Sequence, residues 1–228
     1  MDAHMTAYLI IHGFAGGLHE VDYLALYLRS KGLDVHTVLL SGHGGTKKEL
    51  HKTSHADWIH SASEAVGHLR KEYRRIVILG FSMGGLIGAR FAGLPEVQKI
   101  VFINSPIYFW NIKIILKDVF AGIWRRQYEK LKFYRKSMFG SSMKSNIDFL
   151  KILSESNTIL GSVQKPALIV QCVDDESVRH KSARFIKEKL GSLATLRYYS
   201  GGCHVIFMEN SETRDSICRD IYSFLIQE

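Results

Sequence analysis

The sequence predicts an α/β fold with a mostly parallel central sheet flanked by helices. Three observations lead there. Apolar runs of strand length alternate along the chain with stretches of helical periodicity, and such βαβ units place neighbouring strands parallel. One run, Arg75 to Leu79, passes directly into Gly80-Phe81-Ser82-Met83-Gly84, a serine between glycines where a strand would turn sharply into a helix. At 228 residues the chain is long enough for one such domain with a sizeable core and one inserted element.

The first strand is expected over Thr6 to Ile11, followed by the Gly-rich loop His12-Gly13-Phe14-Ala15-Gly16-Gly17. Val21, Leu24, Ala25 and Leu28 then recur at helical spacing before a second strand, Asp34 to Leu39. Trp58, Ile59, Ala62, Ala65, Val66 and Leu69 form the next helical face. The aliphatic run before Gly80 suits a strand buried on both faces, and Leu86 to Phe91 reads as the helix beyond the serine. Ile100 to Asn104, Ala167 to Cys172 and Thr195 to Tyr199 complete the series of strands. Pro106 to Gln164 is far longer than one crossover needs, and Ile112, Ile115, Leu116, Val119, Phe120 and Ile123 recur there at helical spacing, with Trp124, Tyr128, Leu131, Phe133 and Tyr134 following. The expected organisation is a core of residues 1–105 and 165–228, with 106–164 inserted as a small helical cap that presents an apolar stripe to a ligand.

Composition narrows the partners. No apolar stretch approaches the roughly 20 residues that span a bilayer, and the short first run leads into a loop rather than a cleavage site, so the expectation is a cytoplasmic protein. His4-Met5 resembles a cloning junction, which would start the natural chain at Met5. Cys172, Cys203 and Cys218 are an odd number without metal-ligand spacing and are read as free thiols; no metal is expected. The net charge of +8 is concentrated between Lys113 and Lys151 but carries no nucleic-acid signature. At most it gives a weak contact with anionic membrane surfaces. The Gly-rich loop after the first strand fits neither dinucleotide nor P-loop spacing and lacks the phosphate-binding lysine, so no cofactor is expected.

The glycine-flanked serine is a nucleophile elbow, which presents its hydroxyl bare at a strand end. A serine hydroxyl is a weak nucleophile, so a histidine must take its proton and an acid must orient that histidine, in the chain order Ser, acid, His. Asp174, Asp175 and Glu176 lie just beyond a strand, and a helix expected to start near Ser177 places Asp175 before its first turn. Of eleven histidines only His180 and His204 follow these acids. His180 belongs to an expected surface helix, whereas His204 sits in a loop after the last strand and is the candidate base. Two backbone N–H groups would hold a developing oxyanion, that of Met83 after the serine and that of Phe14 in the first loop.

Leu9 to Phe14, Leu40-Ser41-Gly42-His43-Gly44-Gly45-Thr46, Gly80 to Gly85, Val170 to Asp175 and Gly202-Cys203-His204-Val205 are five motifs in one order. Together they resemble the small bacterial carboxylesterases and monoacylglycerol lipases of the α/β-hydrolase superfamily, over nearly the whole chain. The resemblance implies an α/β-hydrolase fold with the cap inserted after the sixth canonical strand. It also implies an acyl-enzyme on Ser82, Asp175 as the acid, His204 activating water, and a cap with an acyl pocket. The expectation is a monomer that cleaves carboxylic esters, with the aromatic-rich cap pointing to short to medium acyl chains. Asp175 is chosen because the family's acid is followed by two variable residues and an aliphatic one, matched by Glu176-Ser177-Val178. Leu40-Ser41 stands where the family has a proline, Cys203 beside the histidine is unusual, and the antiparallel strands that often open this fold are reduced. A thioesterase or amidase of the same fold, or a triad-bearing ligand receptor with slow turnover, would use the same residues.

Overall fold

The computed structural model describes residues 6–108 and 141–227. Six strands form one sheet in the order β2-β1-β3-β4-β5-β6, and every pairing is parallel. They are β1 (Thr6–Ile11), β2 (Asp34–Val38), β3 (Arg75–Phe81), β4 (Val97–Ile103), β5 (Ala167–Cys172) and β6 (Ala194–Tyr199). The helices among the described residues are α1 (Asp22–Ser30), α2 (Lys47–Lys52), α3 (His55–Glu72), α4 (Met83–Ala89), α5 (Met143–Gly161), α6 (Lys181–Leu190) and α7 (Glu212–Ile226).

The period of two along the strands divides the core into two layers. Leu9, Ile11, Ile76, Ile78, Ile100 and Phe102 face one way, into a layer completed by Trp58 and Leu69 of α3, Leu86 of α4, Phe149 and Ile152 of α5 and Ile186 of α6. Ile10, Val77, Leu79, Val101 and Ile103 face the other way, against Leu24 and Leu28 of α1 and Ile217 and Ile221 of α7. Both faces of the central strands are therefore dry, which is why β3 is an unbroken apolar run rather than an alternating one. Each such side chain contributes about 1.5–3 kcal/mol relative to an exposed position.

Several boundaries differ from those expected. Strand β3 runs two residues past Leu79 to Phe81, and β4 begins at Val97 and ends at Ile103. Asn104, expected as the last strand residue, has φ of 46° and turns the chain away. The helix expected near Ser177 starts at Lys181, because the carboxylate of Asp175 takes the N–H groups of Ser177 and Val178 and folds those residues into a turn. Helix α2 was not anticipated, although Thr46 and Glu49 form a capping box at its start.

The apolar stripe expected between Ile112 and Tyr134 lies outside the described residues. Of the expected cap segment, Ser141 onward is described. Its helix α5 packs on α4 and α3 and buries Phe149, Ile152 and Leu160 in the first layer. His55 at the start of α3 meets the buried Asp148 at 2.9 Å, and Lys144 and Lys151 flank the same carboxylate. These partners hold Asp148 down to about 2: burial raises its pKa, but the hydrogen bonds from His55 and the two lysines outweigh burial.

The start of α4 crosses directly over the end of β1. A β-carbon at Gly84 would stand 2.1 Å from the Ile11 carbonyl oxygen, and one at Gly80 would stand 2.2 Å from the Gly85 Cα. Gly67, inside α3, has no atom within 4 Å of such a position. Gly84→Ala is therefore expected to cost about 3 kcal/mol or more, since backbone cannot yield as a side chain can, whereas Gly67→Ala should stabilise by about 0.5–1 kcal/mol. Urea unfolding midpoints of the two variants would show the opposite signs.

Candidate active site

The site gathers at the C-terminal ends of β1, β3, β4, β5 and β6, where parallel strands leave their loops together. Ser82 directly follows β3 with φ of 51° and ψ of −122°, conformational territory that L-residues occupy only when the surroundings impose it. Its N–H is held by the Ile103 carbonyl at 2.8 Å, so neighbouring β4 fixes the turn. The side chain is buried, and its Oγ lies 3.0 Å from His204 Nε2. On the other side of the ring, Nδ1 meets Asp175 Oδ2 at 2.7 Å. A carboxylate only accepts, so Nδ1 carries the proton and Nε2 is left to accept from the serine hydroxyl.

Asp175 is fully buried, and its two oxygens divide their work. Oδ1 accepts from Ser177 N at 2.8 Å and Val178 N at 2.7 Å, while Oδ2 is left for the histidine. Asp174 is exposed and instead accepts the N–H of Gly201 at 2.7 Å, which braces the loop that carries His204. His180 is exposed beside Tyr198, at the start of α6. The structure thus brings Ser82, Asp175 and His204 into one hydrogen-bonded line and leaves Asp174 and His180 out of it.

Four residues have supporting roles that the sequence did not show, Glu176 among them although it is one of the three candidate acids. Asn104, in the left-handed region, accepts the Cys172 N–H through Oδ1 at 2.9 Å and donates through Nδ2 to the His204 carbonyl at 2.9 Å. Glu176 is buried and accepts the His204 N–H at 3.2 Å, so the histidine backbone is held on both sides. Glu20, also buried, accepts the Gly13 N–H at 3.1 Å. His12 bonds the Gly13 carbonyl through Nδ1 at 2.8 Å and accepts the Leu40 N–H at Nε2, 3.1 Å away, tying the first loop to the Gly42-His43-Gly44 loop. Asn104 and His12 each stand directly after a strand end, the one signal the sequence offers for them.

The electrostatics follow from this packing. Burial by itself would lower the pKa of His204, but the charge and hydrogen bond of Asp175, then the charges of Glu176 and Glu20, raise it to about 9. Burial pushes the Glu20 and Glu176 carboxyls upward. Burial also lowers His12 and His43 to about 4, so both imidazoles are neutral. All three cysteines are free thiols, and burial holds Cys203 far above its ordinary value, followed by its hydrogen bond to Glu209.

Phe14 and Met83 belong to the two segments that meet at the serine. Met83 is the first residue of α4, and a β-carbon on Gly13, next to Phe14, would come within 3.2 Å of Ser82 Cβ. No hydrogen bond among the described residues takes up the N–H of Phe14 or of Met83. The Phe14 ring is stacked on Phe149 of α5, with centroids 4.8 Å apart and planes 6° from parallel, and it also touches Trp58.

The model of the alpha/beta hydrolase fold family matches residues 7–151. The chain belongs to that family. This hydrolase-fold chain is 25% identical over 229 residues to a carboxylesterase of Bacillus subtilis, covering 96% of its own length and 92% of the relative. It is 33% identical over 200 residues to a thermostable monoacylglycerol lipase of Bacillus sp. strain H-257, covering 81% of its own length and 76% of the relative. Among solved structures, a match described with the metagenome-derived lipolytic enzymes LipS and LipT superposes with a TM-score of 0.79 at 20% identity, covering 97% of this chain and 93% of that one. In this hydrolase-fold protein, Asn104→Ala removes a buried and a part-buried hydrogen bond, orphans the Cys172 N–H and places a residue without a polar side chain at positive φ. The expected loss is about 2–4 kcal/mol, to be read from thermal unfolding.

Proposed function

We propose that the protein is a serine hydrolase that cleaves carboxylic esters of short to medium acyl chain, of the carboxylesterase or monoacylglycerol lipase type. The observation that carries this is the line Asp175–His204–Ser82, with contacts of 2.7 and 3.0 Å. The carboxylesterase and monoacylglycerol lipase among its relatives support the choice of ester substrates.

In the proposed cycle, His204 Nε2 takes the Ser82 proton as Oγ attacks the ester carbonyl. The oxyanion that forms accepts hydrogen bonds from the Phe14 and Met83 N–H groups. As the tetrahedral adduct collapses, His204 returns the proton to the leaving alcohol, and Ser82 is left acylated. Water, deprotonated by the same imidazole, then attacks the acyl-enzyme and releases the carboxylic acid and the free serine. Asp175 keeps the ring in the required tautomer throughout. Segment 106–164 is assigned as the cap that covers the acyl chain; Phe149, stacked on Phe14, supports this by placing a cap-segment residue beside the oxyanion loop. Free thiols fit a monomer working in the reducing cytoplasm. Among the described residues no helix is long and apolar enough to cross a membrane.

Hydrolysis of p-nitrophenyl esters from acetate to palmitate, followed by monoacylglycerols, tests this. Turnover should peak at one acyl length and fall by about 10⁴-fold or more in Ser82→Ala, with Asp175→Asn losing about 10³–10⁴-fold; negligible turnover by the folded wild type would overturn it. The base must be neutral to act and its pKa is raised to about 9, so kcat/KM should climb with pH along an acid limb well above the ordinary histidine value of 6.5.

A further inference from the structure

We propose that Glu20 is a positioning residue for this site: its buried carboxylate anchors the Gly13–Gly17 loop that carries the Phe14 N–H and adds a third negative charge favouring the protonated form of His204. The inference rests on the function proposed above.

The geometry places Glu20 beneath the oxyanion loop. Its Oε2 accepts the Gly13 N–H at 3.1 Å, and Gly13 in turn lies against the Ser82 side chain. A β-carbon at Gly16 would fall 2.0–2.3 Å from the carboxylate atoms, so the loop closes around the acid and needs a glycine there. The 3-10 turn Leu18–Glu20 also packs against the 3-10 turn Ile206–Met208, which directly follows His204. Glu20 therefore bonds the loop proposed to supply an oxyanion donor and belongs to a turn that packs on the turn following His204.

A carboxylate is an expensive group to bury, and anchoring Gly13 does not require one, because a glutamine oxygen accepts an N–H equally well. What a carboxylate adds is charge. The groups that face His204 are Asp175 and Glu176 from the loop after β5, Glu20 from the turn after β1, and the Ser82 hydroxyl. Glu20 itself is faced by His204, by the exposed His19 and by the N–H groups of Gly13 and Gly17. An imidazolium forms when His204 takes the serine proton, and a nearby fixed anion stabilises it in that step.

The test compares Glu20→Gln, which keeps the acceptor and removes the charge, with Glu20→Ala, which removes both. Two readouts are taken: the His204 pKa by NMR titration, with the resonance assigned by its loss in His204→Ala, and the kcat and KM for a p-nitrophenyl ester across pH. In Glu20→Gln the His204 pKa and the acid limb should fall by roughly half a unit, with kcat at high pH down about threefold. Glu20→Ala should show the same shift and a further loss of kcat to about 10–100-fold in total, with KM changed by less than about threefold. A His204 pKa within 0.1 unit of wild type in a folded Glu20→Gln would overturn the proposal, as would variants that lower only the melting temperature. The titration does not depend on turnover. A wild type that cleaves no ester but whose His204 shifts in Glu20→Gln would defeat the proposed activity and leave the charge assignment to Glu20 standing.

Discussion

The backbone of Ser82, held at φ of 51° between the last residue of β3 and the first of α4, is the constraint on which the rest of the site depends. An L-residue stays there only if its surroundings leave no alternative. Here the Ile103 carbonyl fixes the serine N–H, and α4 lies so close to β1 that no side chain fits at Gly84. A hydroxyl displayed on such a turn lies clear of its own strand and helix, so groups from other strands can reach it. The parallel sheet then determines which groups those are, because all its strands end on the same side.

Around that point the supports form a ring of polar residues, buried except for Asp174, rather than a set of isolated pairs. Asn104 joins β4 to β5 and to the histidine loop, Asp174 and Glu176 hold that loop from the other side, and His12 and Glu20 hold the loop after β1. Buried polar groups of this kind are tolerated because nearly all their donors and acceptors are matched. The arrangement is also electrostatically one-sided: three carboxylates and no cation are among the groups that raise His204 above its ordinary pKa. Anions placed around an imidazole stabilise its protonated form.

The packing of α5 ties this helix to the ring. Phe149 lies flat on Phe14, and Asp148 one residue earlier is gripped by His55 at the head of α3. Helix α5 is thus held beside the Gly13–Gly17 loop by an aromatic contact and, at the neighbouring residue, by a buried carboxylate.

How much of this was legible in the sequence follows from the range of each interaction. The alternation of strands and helices, the elbow at Ser82, the choice of His204 over His180 and the two-sided burial of β3 are consequences of local spacing, which the chain displays directly. The end of β4 at Ile103 and the late start of α6 were not legible, since both are imposed by side-chain hydrogen bonds that compete with regular backbone pairing. Spacing alone left three acids in a row beyond β5; the tertiary structure separates them, sending Asp174 to Gly201, Asp175 to His204 Nδ1 and Glu176 to the His204 backbone. Glu20 and Asn104 show the same division: as letters they are ordinary surface-type residues, and only the fold, by closing loops from distant strands over them, gives them buried partners. Strand periodicity and the glycine spacing of the elbow are short-range geometry, so the chain alone carried the fold class and the candidate trio Ser82, Asp175 and His204. The tertiary structure decided which residues hold those groups in place, because that depends on contacts between strand ends far apart in the chain.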